Sequence, residues 1–418
     1  MVFSLVPIFI TAIYILRLGL NIPFWDQWEV VHLLAKSSQG VLTIAELFSQ
    51  HNEHRPFFPR LIWIGLSGVT HYNVNAELWG NFLIALGTFW SLVNRSMATW
   101  RRMGVFAPPW LVPLMSLLVF NLGQRESWLQ GYQTVMFLGA AGAVIGLIMA
   151  AEDGSGRGFL VAVLLGIIST FSMANGVLYW PVGLAVLATG RANRWKAAKL
   201  YGWTAAGAMC IALFFHGWVA SVQLSLSYVL AHPLEWILWV ANYVGAPLMT
   251  SWYVAWMFGI IGIGLYIAAA GYAVRNGKWR SLTAYFAVAA FVLLAALSTS
   301  IGRAGLGMPQ SVVPRYLTVS VWFWISLLTL LTVVPMKILY RRVLYTFLTM
   351  SLTILTVVGG WRGYVSIYQR ILPAYLAVSS GQVVSDGALG QIHPDPAIAR
   401  SDLQFLCENR LSACADAP

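Results

Sequence analysis

The sequence predicts an all-α polytopic membrane protein, and three observations carry that expectation. Of 418 residues, 59% are hydrophobic and only 9% charged, with a mean hydropathy of +0.72, too apolar for an ordinary water-soluble domain. Apolar stretches close to the roughly 20 residues that a helix needs to cross a bilayer recur along the chain. Twenty Trp and 17 Tyr fit the same class, because amphipathic rings collect where membrane meets water.

Taken in order, the stretches lie near 2–21, 77–96, 107–122, 132–150, 158–176, 177–190, 199–217, 251–273, 281–299, 316–335 and 343–360, about eleven transmembrane helices. The first run, Val2 to Ile22, has no basic leader and no small-residue cleavage site, so it reads as a retained helix. With the N-terminus cytoplasmic, the inner connectors hold fourteen of the 25 basic residues, among them Arg95, Arg101, Arg102, Lys196, Lys199 and Arg280. Only Glu152 and Asp153 accompany them as acids. That asymmetry is the positive-inside pattern of a bacterial inner (plasma) membrane protein, N-terminus cytoplasmic and C-terminus periplasmic. Because the basic residues sit in short connectors and not in one stripe, the charge of +11 does not point to nucleic acid.

This topology gives a bundle over 1–360 with an outer loop at 22–76, an interfacial or re-entrant segment at 218–250, and a short outer tail at 361–418. Treating 218–250 as a further span would invert every later connector and put Arg275, Lys278 and Arg280 outside. Within the first loop, Trp28, Val31, His32 and Ala35 recur at helical spacing, and Thr43 with Glu46 forms a T-x-x-E capping box opening a second short helix. Both helices are expected to lie along the membrane surface. "GIIGIG" at 259–264 falls inside a span, where small residues let helices approach, and reads as packing. "FSMANGVLYWP" makes a tight turn at Asn175 and Gly176. Cys210 is a small apolar packing residue, whereas Cys407 and Cys414 in the tail leave a disulfide open.

Signatures of soluble enzymes are missing: no H-E-x-x-H, G-x-S-x-G, Walker loop or C-x-x-C occurs. Chemistry is therefore sought on the outer side. In "FWDQWEVVHLL", Asp26 and Glu29 fall three residues apart, on one face if helical, at the exit of the first span. They read either as acids favoured at a helix N-terminus or as a general base at the membrane boundary. "QHNEHRPFFPR", residues 50–60, crowds His51, Glu53, His54, Arg55 and Arg60 together. His51, Glu53 and His54 could hold a divalent metal such as Mg or Mn, although their spacing matches no closed site. Alternatively Glu53 is a second acid, and His54 and Arg55 bind substrate, Arg55 through paired donors to a phosphate. Arg125, Arg303 and Arg315 are further outer candidates for phosphate, while Arg362 and Arg370 read as snorkelling anchors.

An acid on a short interfacial helix directly after the first span, then a long outer loop and some ten more spans, resembles the GT-C superfamily of membrane glycosyltransferases. The specific match is confined to Asp26 and Glu29, with Glu53, His54 and Arg55 in support. Resemblance to the lipid A aminoarabinose transferases and protein mannosyltransferases implies an inverting transfer of sugar from a polyprenyl-phosphate donor to a lipid-linked or cell-envelope glycan acceptor. It implies Asp26 as base and Arg303 or Arg315 at the donor phosphate. Two residues separate the acids here, where the family often has one or none, so Glu53 is the alternative second acid. A large soluble C-terminal domain is missing, which favours a monophosphate donor. Two other readings stand beside it: a flippase of lipid-linked sugars, which uses the same phosphate-binding arginines and needs no base but expects charges inside spans, and an O-antigen polymerase or ligase, which expects its key arginines and histidine in a large late loop.

Overall fold

Leu317–Leu331 is apolar all round, and a helix without a polar face must be enclosed. All 15 of its residues are buried, and the other helices gather about it. The computed structural model describes residues 2–106, 108–152, 156–190, 195–220 and 226–416, and among these there are helices and turns but no β-strand. Arg191, Arg194 and Asp153, assigned to inner connectors from the sequence, lie outside the described residues, as do residues 221–225.

Among the described residues, seven helices are long and apolar enough to cross a membrane: Val74–Arg102, Gly131–Ala151, Lys196–Phe215, Ala255–Arg275, Trp279–Leu306, Pro314–Leu331 and Ile338–Ser379. Val2–Leu18, Gly156–Thr170 and Ala174–Thr189 are shorter apolar helices. The stretch at 107–122 yields only Leu111–Val119, nine residues. Its chain breaks off at Asn121, whose side-chain oxygen accepts from Gly123 N (2.6 Å) while its amide donates to Leu352 O (2.9 Å). Hydropathy counted this segment as a span because it registers apolarity and not the side chain that ends the helix. At the other extreme, the helix expected to stop near 360 runs on to Ser379. It widens to a π-helix at Ile367–Ile371, just before Pro373, whose missing N–H and bulky ring disturb the preceding turn.

The 29-residue helix Val74–Arg102 runs through the bundle and defines its two ends. Glu77 in its first turn accepts from Gln27 Nε2 (2.5 Å), and Arg95 near its last turn pairs with Glu152. Trp100 Nε1 donates to Thr332 Oγ1 (3.0 Å) at that second end.

Residues 226–250 form two short helices, Leu226–Ala231 and Pro233–Gly245. The second begins with Leu234 and Ile237 exposed and ends with Trp239 to Gly245 buried, then turns back into Ala255–Arg275. This hairpin depends on two glycines. A Cβ on Gly259 would collide with the Ala241 carbonyl, and one on Gly245 with that of Ala255. Gly259 and Gly262 of the "GIIGIG" run are thus packing positions, while Met257, Ile260, Ile261 and Ile267 of the same helix face outward, as lipid-facing residues would.

The tail is folded. Helices Asp386–Ile392 and Pro396–Glu408 are capped by Ser385 and Asp395, and a Cys407–Cys414 disulfide closes the end. It packs on the first loop: Trp28 Nε1 donates to Ile392 O (3.2 Å), His32 Nε2 lies 3.4 Å from Asp402 Oδ2, and Ser412 Oγ donates to Asn21 O (2.9 Å). Loop and tail therefore share one end of the bundle, as the sequence topology expects. His32 is half exposed toward that tail and does not join the buried stripe of Trp28, Val30, Val31, Leu33 and Leu34.

Gly259→Val is expected to destabilise the protein by about 1–3 kcal/mol through forced separation of the hairpin. Gly264→Val, whose Cβ meets nothing within 4 Å, leaves the melting temperature of the solubilised protein nearly unchanged.

Candidate functional site

The first loop brings its charges to one place by means of two tight local structures. Trp25 takes a left-handed backbone (φ 52°), an uncommon conformation for a bulky residue, at the head of a 3-10 turn Trp25–Gln27 that leads into the helix Trp28–Ser38. Asp26 and Glu29 thereby leave the chain on the same side. Further on, His51 and His54 exchange both backbone hydrogen bonds (2.9 Å each) around Asn52 and Glu53, with Asn52 left-handed at φ 48°. Between the two, the capping box forms as expected, Thr43 Oγ1 accepting from Glu46 N (3.2 Å) and Glu46 Oε2 from Thr43 N (2.9 Å), although the helix it opens is a single turn, Ile44–Leu47. A third loop helix, Phe57–Thr70, escaped the sequence reading.

His51 sits between the two acids. Its Nδ1 pairs with Glu29 and its Nε2 lies 3.8 Å from Asp26 Oδ1, an ion pair beyond hydrogen-bond reach. Burial alone would depress the His51 pKa, but the two carboxylates override it and lift it to about 9, so the ring is an imidazolium at neutral pH. Burial likewise acts to raise both carboxyls. For Asp26 the neighbouring His51 cation, with Arg315, outweighs it; for Glu29 His51 and Arg60 do so, and both acids stay below the ordinary carboxylate range. Arg60, buried, pairs with Glu29 and also donates to the carbonyls of Leu47 (3.0 Å) and Ser49 (2.6 Å). Glu29 is thus held on both sides, whereas the Asp26 side chain is half exposed.

Glu53 forms a two-pronged pair with Arg303 Nη2 (2.9 and 2.8 Å), tying the tip of the loop to the end of the helix Thr283–Arg303. His54 is pushed down by burial to about 4 and is neutral; its Nδ1 accepts from Ala174 N (3.0 Å) at the start of the 3-10 turn Ala174–Leu178, where the sequence expects a bend at Asn175 and Gly176. Arg55 is a correction. It is buried and donates to the carbonyls of Phe214 (2.6 Å), Phe48 (3.0 Å) and His216, so it fastens the loop to the helix Lys196–Phe215 and has no fork left for a phosphate. The proposed metal ligands diverge as well: His51 faces the acids, Glu53 faces Arg303 and His54 faces a backbone amide. The described residues contain no group of three such side chains arranged for an ion.

Two cavities meet at this end. One, of about 410 Å³, is lined by Asp26, Arg125, Arg315, Arg362, Arg370 and Gln133 among others. Arg362 and Arg370, which read as membrane anchors from the sequence, line the cavity that Asp26 borders, with the Arg370 guanidinium 5.6 Å from the Phe24 ring centre. No local pattern announces them; the long helix Ile338–Ser379 brings them there. The other cavity, of about 390 Å³, is mostly apolar, with Phe214, Phe215, Trp218, Tyr243 and Met136 beside Glu53, His54 and Arg303. Arg315 lines both, held loosely by Glu126 at 4.0 Å. Such a layout can take an anion among the arginines, an apolar chain in the second cavity, and a hydroxyl at Asp26.

Comparison with known family models, curated proteins and solved structures finds no match for this chain.

The raised His51 pKa has a consequence for stability. A group whose pKa rises on folding stabilises the fold fully below its unfolded value, about 6.5, and that contribution is lost as pH climbs through about 9. Melting temperature should fall between pH 6.5 and 9 in the wild type, and His51→Gln should abolish this part of the pH dependence.

Proposed function

We propose that the chain is an inverting glycosyltransferase of the GT-C kind, with about eleven spans, acting at the outer face of a bacterial plasma membrane. It moves a sugar from a polyprenyl-phosphate donor to a lipid-linked or cell-envelope glycan. The observation that carries this reading is the half-exposed, ionised Asp26 at the wall of an arginine-lined cavity that shares Arg315 with an apolar one. Donor phosphate lies against Arg315 with help from Arg125, Arg362 and Arg370, its prenyl chain follows the apolar cavity, and the sugar reaches Asp26. The acceptor hydroxyl gives its proton to the Asp26 carboxylate as its oxygen bonds to the anomeric carbon. The bond from that carbon to the phosphate oxygen breaks on the opposite side, inverting the centre and leaving polyprenyl phosphate held by the arginines. Glu29 and Arg60 act on the substrate only through His51, which they hold against Asp26. No step passes through a metal.

The orientation rests on the separation of charge. Arg95, Arg102, Lys196, Lys199 and Arg280 gather at the end of the bundle opposite Asp26, and a cytoplasmic location for them turns the loop and tail outward.

The test is transfer of radiolabelled sugar from a panel of polyprenyl-phosphate sugars to envelope lipid extract, with donor binding followed in parallel. Asp26→Asn should lose about 10²–10⁴-fold in transfer while still binding donor, and Arg315→Gln should lose donor binding. Undiminished transfer by Asp26→Asn removes the base. Wild type that binds donor without transferring sugar turns the reading to the flippase.

A further inference from the structure

The opposite end of the bundle contains a third cavity, of about 370 Å³, that the proposed transfer does not use. Five helices contribute to it. Arg95 and Arg102 come from Val74–Arg102, Glu152 follows Thr134–Ala151, Val186 to Gly190 close Tyr179–Thr189, Lys196 and Lys199 open Lys196–Phe215, and Arg280 to Thr283 precede or begin Thr283–Arg303. Its lining carries five cations and one carboxylate.

Basic residues at helix ends are usually orientation signals, solvated one by one. Three features set these apart. Arg95 is buried, at 8% exposure, and a buried cation is costly unless an anion meets it. Glu152 is engaged by Arg95 and lies 3.7 Å from Arg102, so one carboxylate serves two guanidinium groups and holds them toward the same space. Arg95 Nε, buried, has no hydrogen-bond partner. Lys196 is accounted for otherwise, since its ammonium donates to the carbonyls of Ala188 (2.8 Å) and Gly190 (3.0 Å) and so caps a helix end.

We infer that this cavity is a second anion site, binding a phosphate group between Arg95, Arg102 and Arg280. Planar guanidinium groups suit phosphate oxygens, and basic pockets between membrane helices suit anionic headgroups. Ala150, Ala151, Val186 and Leu187 give the same cavity an apolar wall on which the glycerol and first methylenes of a phospholipid would rest. The shared chemistry is phosphate, carried either by an anionic lipid or by a free diphosphate. The site stands apart from the transfer reaction and does not depend on it.

Native mass spectrometry of the solubilised protein tests it with three probes: pyrophosphate, dihexanoyl phosphatidylglycerol and, as zwitterionic control, dihexanoyl phosphatidylcholine. At least one of the first two should bind with an affinity that falls with salt, and lose about tenfold or more in the double variant R102Q/R280Q, both residues being exposed. The conservative pair R102K/R280K should retain much of it, and Glu152→Gln, which removes the competing carboxylate, should tighten it. Arg315→Gln, which alters the cavity at the far end, leaves this binding event in place. Pyrophosphate binding as tightly as the lipid assigns the site to a free phosphate; binding of the lipid alone assigns it to a headgroup. Equal binding of the phosphatidylcholine, no binding of either phosphate probe, or undiminished binding by a folded R102Q/R280Q would overturn the inference.

Discussion

The His51 imidazolium, held between Asp26 and Glu29, is the joint on which the first loop turns. In a chain with 14 acidic residues among 418, an unpaired charge near apolar helices is expensive, and each first-loop acid except Asp26 is closely paired. Glu29 takes His51 and Arg60, Glu53 takes Arg303, and Glu46 takes Lys36 while capping its own helix. The pairs of Glu29 and Glu46 fold the loop on itself, and Glu53 with Arg303 ties this polar segment to the bundle. Arg55, with its guanidinium spread over three carbonyls, closes the remaining gap without any acid. The arrangement resists unpairing because losing one partner strands the other.

Local signals in the sequence survive in the structure, whereas signals that depend on distant partners do not. The Thr43–Glu46 capping box, the close packing of the "GIIGIG" helix and the meeting of Asp26 with Glu29 are each decided within a few residues or by residue size, and each is found. Span length is less legible. Apolarity alone predicts about eleven spans; among the described residues seven helices are long and apolar enough to cross, and the stretch at 107–122 falls short because its helix ends at Val119, just before Asn121. Least legible are the arginines. Arg55, Arg60, Arg362 and Arg370 look alike in sequence, yet two are consumed by backbone carbonyls or an acid and two face the cavity at Asp26. What separates them is the three-dimensional path of the chain, which periodicity does not encode.

The two ends of the bundle treat positive charge differently. At the loop end, most cations are matched by acids or by backbone carbonyls, or face a cavity that also holds Asp26 and Glu126. At the other end, one carboxylate, paired with two arginines, lies in a cavity lined by five cations. A bilayer with an anionic cytoplasmic surface would stabilise the second end and leave the first to its internal pairs. Charge pairing and orientation are therefore two consequences of one scarcity of acids.

Within the proposed reaction, the charges around Asp26 also set when it can act. An acid depressed by neighbouring cations is ionised at neutral pH but a weak proton acceptor, which would seem to disqualify it as a base. The cation that matters most beyond His51 is Arg315, and Arg315 is also the residue that both cavities share. A donor phosphate seated against Arg315 brings negative charge to the place from which Asp26 is being held down. Its proton affinity then rises only when donor is bound, and rises further as the phosphate gains charge on leaving. In the proposed reaction Asp26 would thus be a weak base in the empty site and a stronger one once the donor phosphate offsets the Arg315 charge.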